Sequence, residues 1–330
     1  MKIGVLVWDL NISGGTQRQA LELALYLQEH AKQDVVVYTY LYDPDGCYPD
    51  LCAKLDIHYA HRRRLEQYQG KIKALLRTVV KYCKFYFEID QKKLLRILND
   101  DIDILNVHDY HVYPTAGLWK IKTKKPVVWM MNDMPMYQWN PKKVLKTALY
   151  HLKPRFRRYV KSFDKIVVLD HLNQEQVQRN FGRSAKVVRS GIDIDMFPFH
   201  LHECQSEMIQ LLSTGIFFPH RRIEDTIVAL SILAQKGYPI ILHHVGSDDL
   251  GMEYARKIYS LVDKLDLCDK VFFHKRVSDQ ELLQLYQDAD IFVFPNSPQT
   301  WGLSVFEAMA CGIPVISTTG CGASEVLRDG

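Results

Sequence analysis

The chain has 330 residues, of which 47% are apolar and 24% charged, with a net charge of +4. That length suits about two domains, and the balance excludes a disordered or fibrous chain. No apolar run reaches the roughly 20 residues that cross a bilayer, and the seven cysteines form no CxxC pair, which excludes a zinc ribbon and points to reduced thiols.

The opening MKIGVLVWDL reads as a buried strand rather than as the apolar region of a signal peptide. Apolar runs at 2–8, 34–40, 103–108, 126–131, 165–170 and 186–191 follow as strands. Their nearly continuous apolar character suits a parallel sheet covered on both faces. Helical patterns lie between them, and the one at 17–30 carries Ala20, Ala24 and Leu27 on one stripe. A looser stretch, FPFHLHECQSE (197–207), interrupts this rhythm. Strands at 208–215, 239–246, 270–277, 290–296 and 314–318 then resume it. The intervening helices include one with Ile223, Ile227, Leu230 and Ala234 on a face, and others at 250–264, at 279–287 and from about 303. Two βαβα blocks predict an α/β protein with two doubly wound, Rossmann-like domains, 1–197 and 208–330, joined by a linker at 198–207. Ligands of such sheets bind beyond the carboxyl ends of the strands, so a cleft between facing domains is the expected site.

Charge is uneven along the chain. Between 61 and 96, eleven Lys and Arg face three acids; between 141 and 161 there are eight bases and no acid. Tyr82, Phe85, Tyr86, Phe87, Tyr150, Phe156 and Tyr159 lie among them. Two readings stand: solvated helical faces, or a surface for anionic lipid headgroups. No nucleic-acid-binding motif accompanies the bases.

The segment SPQTWGLSVFEAMACGIPVIST (297–318) holds one carboxylate, Glu307, among small and apolar residues. Buried carboxylates are rare unless paired or hydrogen-bonded. Ser304 and Glu307 fit a capping box, S-x-x-E, at a helix starting near Leu303 or Ser304. The same helix N-terminus follows a strand end and offers free amides to a diphosphate, with Glu307 one turn in to accept from vicinal hydroxyls. DPD (43–45) and DID (193–195) have the form of a metal-binding DxD, but they lie in a turn-rich loop and a boundary segment and are discounted.

WGLSVFEAMACGIPVIST resembles the donor-binding signature of the family 4 retaining glycosyltransferases, which have the GT-B fold of two Rossmann-like domains facing across a cleft. In that family a Glu, seven residues and a second Glu frame a nucleotide sugar. Glu307 falls on the second and would bind ribose hydroxyls; Gln299 stands where the first Glu is usual, keeping an acceptor but losing the charge. Thr300, Trp301, Gly302 and Leu303 belong to the same donor loop. TGIFFPHRRIEDTIVAL (214–230) resembles the strand-loop-helix that supplies a phosphate-binding cation: Gly215 is the turn, Arg221 matches the usual Lys, and Arg222 would replace an Arg missing at Ile216. FFHKRVSDQEL (272–282) resembles the segment that reads the base, near Val277, and VVRSGIDIDMF (187–197) resembles the boundary motif.

In the first half, NISGGTQRQALELALYL (11–27) puts Gly14 and Gly15 between a strand and a helix without the GxGxxG of a nicotinamide site. NVHDYHVYPTAG (106–117) offers His108 and His111, and the resemblance places one of the two beside the donor sugar. It further implies front-face attack, with Arg221 and helix amides stabilising the leaving diphosphate and no metal or cofactor. The implied partners are a nucleotide-sugar donor, a glycan or lipid-linked acceptor and an anionic membrane surface, with no nucleic acid. The implied location is the cytoplasm, peripheral at the inner face of a membrane. Family members also continue for several elements past SEVLRDG. Gln299 keeps open a non-catalytic nucleotide-sugar-binding or membrane-scaffold protein.

Overall fold

The computed structural model describes residues 1–11, 14–62, 85–109, 111–132, 154–201, 207–249, 251–275, 277–298 and 301–328. Most of the two basic stretches falls outside these residues, as do Gln299, Thr300 and Arg276. The chain divides into two compact units, Met1–Val188 and Arg189–Gly330.

In the first unit β1 (Lys2–Leu10), α1 (Gly15–Glu29), β2 (Asp34–Tyr42), the short α2 (Pro49–Cys52) and β3 (Asp56–Arg62) come first. Next are α3 (Phe85–Ile97), β4 (Ile104–His108), α4 (Tyr113–Thr123) and β5 (Val127–Met131). The unit closes with α5 (Pro154–Ser162), β6 (Lys165–Val168), α6 (His171–Phe181) and β7 (Lys186–Val187). All described pairings in this sheet are parallel, in the order β3-β2-β1-β4-β5-β6-β7. Successive residues of β1 point to opposite faces. Ile3, Val5 and Val7 join a core with Ala20, Leu21 and Ala24 of α1, while Leu6 joins Trp119, Trp129 and Val160 on the other side. Both faces being covered is why the strand reads as an unbroken apolar run.

The second unit contains β8 (Ile209–Thr214), a 3-10 turn (Pro219–Arg221), α7 (Ile223–Gln235), β9 (Ile240–Val245) and α8 (Met252–Lys264). It continues with β10 (Val271–His274), α9 (Asp279–Asp288), β11 (Ile291–Phe294), α10 (Leu303–Ala310) and β12 (Val315–Ser317). Its sheet is again parallel, in the order β10-β9-β8-β11-β12.

Two features differ from expectation. The strand β3, DIHYAHR, has no apolar run, because it pairs only with β2 at the sheet edge and is half solvated. The boundary also lies earlier than 197. Residues from Arg189 onward belong to the second unit: Phe197 is buried beside Tyr286 and Phe292, Trp301 Nε1 donates to Ser190 O at 2.7 Å, and His200 N donates to Cys311 O at 3.2 Å. Among the described residues no helix is long and apolar enough to cross a membrane.

Candidate functional site

The second sheet reverses its strand order between β8 and β11. Such a reversal opens a crevice at the carboxyl ends of the strands. Leaving β8, Gly215 adopts φ +152°, a region that favours glycine. A Cβ there would lie 3.1 Å from Arg221 Cδ and 3.3 Å from its Nε, so the arginine stem lies directly over the glycine. From the end of β11, Asn296 reaches the same arginine. With its amide oriented so that donors meet acceptors, it accepts from Arg221 Nη1 at 2.7 Å and donates to Arg221 O at 3.0 Å. Ser297 N donates to His220 O at 2.9 Å and ties the same two segments. Arg221 is thus anchored between two strand ends in a recess that Ser213, Thr214, Thr226, His244 and Asn296 also line.

Gly302, at φ +79°, is the N-cap of α10. A Cβ on it would stand 3.0 Å from both Cys321 Sγ and Phe294 Cε1, so the turn needs glycine twice over. The helix therefore starts at Leu303, without a side-chain cap, and Ser304 is its second residue. That placement overturns the Ser304–Glu307 capping box; the second unit forms one at Ser278 and Glu281 of α9 instead. Glu307, only 8% exposed, accepts a 2.9 Å hydrogen bond from Tyr286. The Tyr286 hydroxyl also bonds to Thr214, the residue before Gly215. Burial, then the Glu307 charge, push this hydroxyl well above the usual tyrosine range. Carboxylate and cation are therefore built around one strand end. Sequence reasoning missed Tyr286, Asn296 and His244.

The other expected residues are placed unevenly. Arg222, in the left-handed region, turns its guanidinium to Asp225 at 2.5 Å. Trp301 is buried: its ring stacks on Phe306 at 4.6 Å and lies under the Arg189 guanidinium, so it packs the loop rather than facing a ligand. Leu303 and Val277 are half-buried. Gln299 and Thr300 lie outside the described residues. The two DxD triplets are local turns in which Asp43 and Asp193 accept from the amides of Asp45 and Asp195.

In the first sheet the order reverses between β1 and β4. Asp109, just past β4, sits at φ +62° and bridges the two strand ends: its carboxylate accepts from Trp8 N at 3.1 Å and from His111 N at 2.5 Å. The His111 ring lies 3.5 Å from the same carboxylate and stacks on Trp8. His108 is fully buried, with Nδ1 3.4 Å from Asn132 Nδ2. Of the two candidates, only His111, whose side chain is 42% exposed, has a face for a ligand. Gly14 caps α1 and Gly15 is its first residue; the Gly14 carbonyl accepts from Arg18 N at 2.9 Å.

Burial pushes His108 and His244 down to about 4, with Arg221 adding to the effect on His244. Both are neutral when folded but take up protons in the unfolded chain near pH 6.5. Stability is then fully present above about pH 6.5 and declines toward pH 4, with a slope approaching about 1.4 kcal/mol per pH unit for each histidine. Urea unfolding at pH 7 and pH 5 should show this loss, and His244→Gln should flatten it. Equal stability at the two pH values would refute it.

The description "Glycosyltransferase Family 4" matches residues 13–196, and "Glycosyl transferases group 1" matches residues 202–330. A mannosylfructose-phosphate synthase of Agrobacterium fabrum is 22% identical over 298 residues, covering 82% of this chain and 61% of the relative. A D-inositol 3-phosphate glycosyltransferase of Mycolicibacterium smegmatis is 24% identical over 181 residues, covering 53% of this chain and 42% of the relative. The chain thus spans 61% or less of the length of these relatives. Among solved structures, a sucrose-phosphate synthase from Thermosynechococcus elongatus superposes with a TM-score of 0.75 at 17% identity, covering 99% of this chain and 84% of that one. Anabaena HepE in complex with UDP-glucose gives 0.72 at 17% identity, covering 100% and 83%. One family model spans most of the first parallel sheet and the other spans the second, and the likeness to known folds runs the whole length; the chain belongs to the family 4, group 1 glycosyltransferases, with the GT-B fold.

Proposed function

We propose that the chain binds a nucleotide sugar and transfers the sugar with retention, without a metal ion, to a glycan or lipid-linked acceptor in the making of a cell-surface polysaccharide or glycoconjugate. The observation that carries this reading is Arg221, anchored by Asn296 at the switch point where Glu307 is held by Tyr286. A cation and a helix N-terminus suit a diphosphate, and a buried carboxylate suits vicinal ribose hydroxyls. UDP, which the HepE structures contain, is the first nucleotide to try.

In this mechanism Arg221 and the first amides of α10 hold the leaving diphosphate and stabilise the charge that grows on it. Glu307 fixes the ribose. His111, steadied by Asp109, contacts the donor sugar and is not a nucleophile. The acceptor hydroxyl attacks from the face the diphosphate leaves, and its proton passes to that diphosphate. Gln299 in place of a second carboxylate favours the rival reading, a silent nucleotide-sugar binder. Release of free sugar from the donor in the absence of an acceptor separates the two.

The direct test is thermal shift with a panel of nucleoside diphosphates. A ligand at about 100 times its Kd adds about 2.7 kcal/mol, which moves Tm by roughly 5–11 °C for a unit of this size. No shift with any of them would refute nucleotide binding.

The basic stretches at 61–96 and 141–161 support peripheral attachment to an anionic membrane face. Each Lys or Arg near such a surface contributes roughly 1 kcal/mol, lost at high salt. Sedimentation with phosphatidylserine vesicles should rise with anionic lipid and fall with salt. Replacing Arg62, Arg63, Arg64, Lys81 and Lys84 by Ser should weaken it severalfold with nucleotide binding intact. Wild type that ignores such vesicles at low salt returns these bases to a solvated face.

A further inference from the structure

Two buried polar groups lie beneath Arg221 and take no part in the mechanism above. His244, in β9, is 1% exposed, and Ser213, in the adjoining strand β8, is 5% exposed. The strands hold them side by side in register. His244 Nδ1 lies 2.7 Å from Ser213 Oγ, and Nε2 lies 2.9 Å from Gly215 O. A backbone carbonyl only accepts, so Nε2 carries the proton and Nδ1 accepts from the serine hydroxyl. This single neutral tautomer satisfies both ends. The ring plane is fixed as well, because Phe217 meets it edge-on at 5.1 Å and Phe273 at 6.2 Å.

The carbonyl that His244 grips belongs to the glycine over which Arg221 lies. Gly215 has no side chain and an extreme φ; its N–H donates to Val245 O at 2.8 Å, and its carbonyl is held by the His244 ring. The end of β9 closes in from the same side, since a Cβ on Gly246 would lie 2.0 Å from Gly215 O. Movement of that carbonyl would move the floor under the guanidinium.

We propose that His244, with Ser213 behind it, is a positioning residue for Arg221: it locks the Gly215 carbonyl and so fixes where the guanidinium meets a diphosphate. This rests on the nucleotide reading for its functional consequence, but not for its structural one. Burial beside a cation also keeps the imidazole neutral, as the bond to Gly215 requires. Glutamine preserves a donor and an acceptor on one short amide, so it is the conservative replacement; leucine removes both.

The experiment reads two quantities: the ¹⁵N–¹H signal of Arg221 Nε in ligand-free protein, and UDP affinity by calorimetry. In His244→Leu the Arg221 signal is expected to broaden or shift, and UDP affinity to fall about tenfold. His244→Gln recovers most of both. In an Arg221→Ala background, His244→Leu should cost no further affinity, because its effect runs through the arginine. Losses that simply multiply would overturn the proposal, as would an unchanged Arg221 signal in folded His244→Leu. If that variant does not fold, Ser213→Ala takes its place, with a change in the Arg221 signal expected and an unchanged one overturning the proposal. Wild type that binds no UDP, GDP or ADP sinks the nucleotide reading, while the Arg221 signal still decides the positioning role.

Discussion

Arg221→Ala is expected to slow sugar transfer by about 10²–10³-fold, the largest loss from any single side chain here. Removing one fixed donor from a developing negative charge typically costs that much, about 2.7–4 kcal/mol. The geometry argues for the high end. Arg221 is held at its side chain by Asn296 and from below by Gly215, so it need not reorganise as charge builds on the diphosphate. Truncation also leaves Asn296, 2% exposed, with an unmet acceptor, and that costs stability about 1–3 kcal/mol. Arg221→Lys keeps the charge but not the planar fork that meets both Asn296 and a phosphate, so it should sit between the two. Single-turnover transfer at saturating donor, with Tm as a check on folding, measures all three. A rate within threefold of wild type in Arg221→Ala would show that the leaving group is stabilised elsewhere.

The fold was largely legible because parallel strands buried on both faces must be apolar throughout. That pattern survives in a single sequence, as the run IGVLV from Ile3 to Val7 shows, and the return of the rhythm after residue 207 marks a second sheet. β3 escaped notice for the converse reason: an edge strand with one partner can carry Asp56, His58 and His61 without burying them. The expected boundary at 197 rested on the resemblance of VVRSGIDIDMF to a family motif, whereas the second compact unit begins at Arg189. Only the folded chain reveals that Phe197 enters the second core and that Ser190 O meets the Trp301 indole.

The site was legible where its residues are close in sequence and hidden where they are not. Gly215 with Arg221, and Gly302 with Glu307, each sit within one loop or one helical turn, so spacing alone exposes them. Tyr286 meets Glu307 across 21 residues, and His244 meets Gly215 across 29. Nothing in QLYQDAD or ILHHVG announces those partners. Trp301 shows the opposite error. An aromatic beside a ligand loop invites a contact role, but its indole is spent on Ser190, Phe306 and Arg189.

Glu307→Ala is expected to weaken nucleoside diphosphate binding by about 10–100-fold, because hydrogen bonds to a charged group are worth about 1.5–3 kcal/mol. The capping-box alternative would have made the same substitution a matter of helix stability. With Gly302 as the N-cap, that alternative no longer applies. What the buried carboxylate gains locally is the Tyr286 hydroxyl, and what it offers outward is acceptor capacity one turn into a helix. Three variants apportion these roles. Glu307→Gln keeps an acceptor for Tyr286 and for one ribose hydroxyl but loses the charge, so affinity should fall less than in the alanine variant. Tyr286→Phe leaves the charge with one donor fewer, and should lower stability by about 1–3 kcal/mol with a smaller loss of affinity. Glu307→Ala compared on a nucleoside diphosphate and on its 2′,3′-dideoxy analogue is decisive. The alanine variant should lose its affinity deficit on the analogue, which has no ribose hydroxyls to accept from. An equal deficit on both ligands would mean that Glu307 supports the site through Tyr286 rather than holding the ribose.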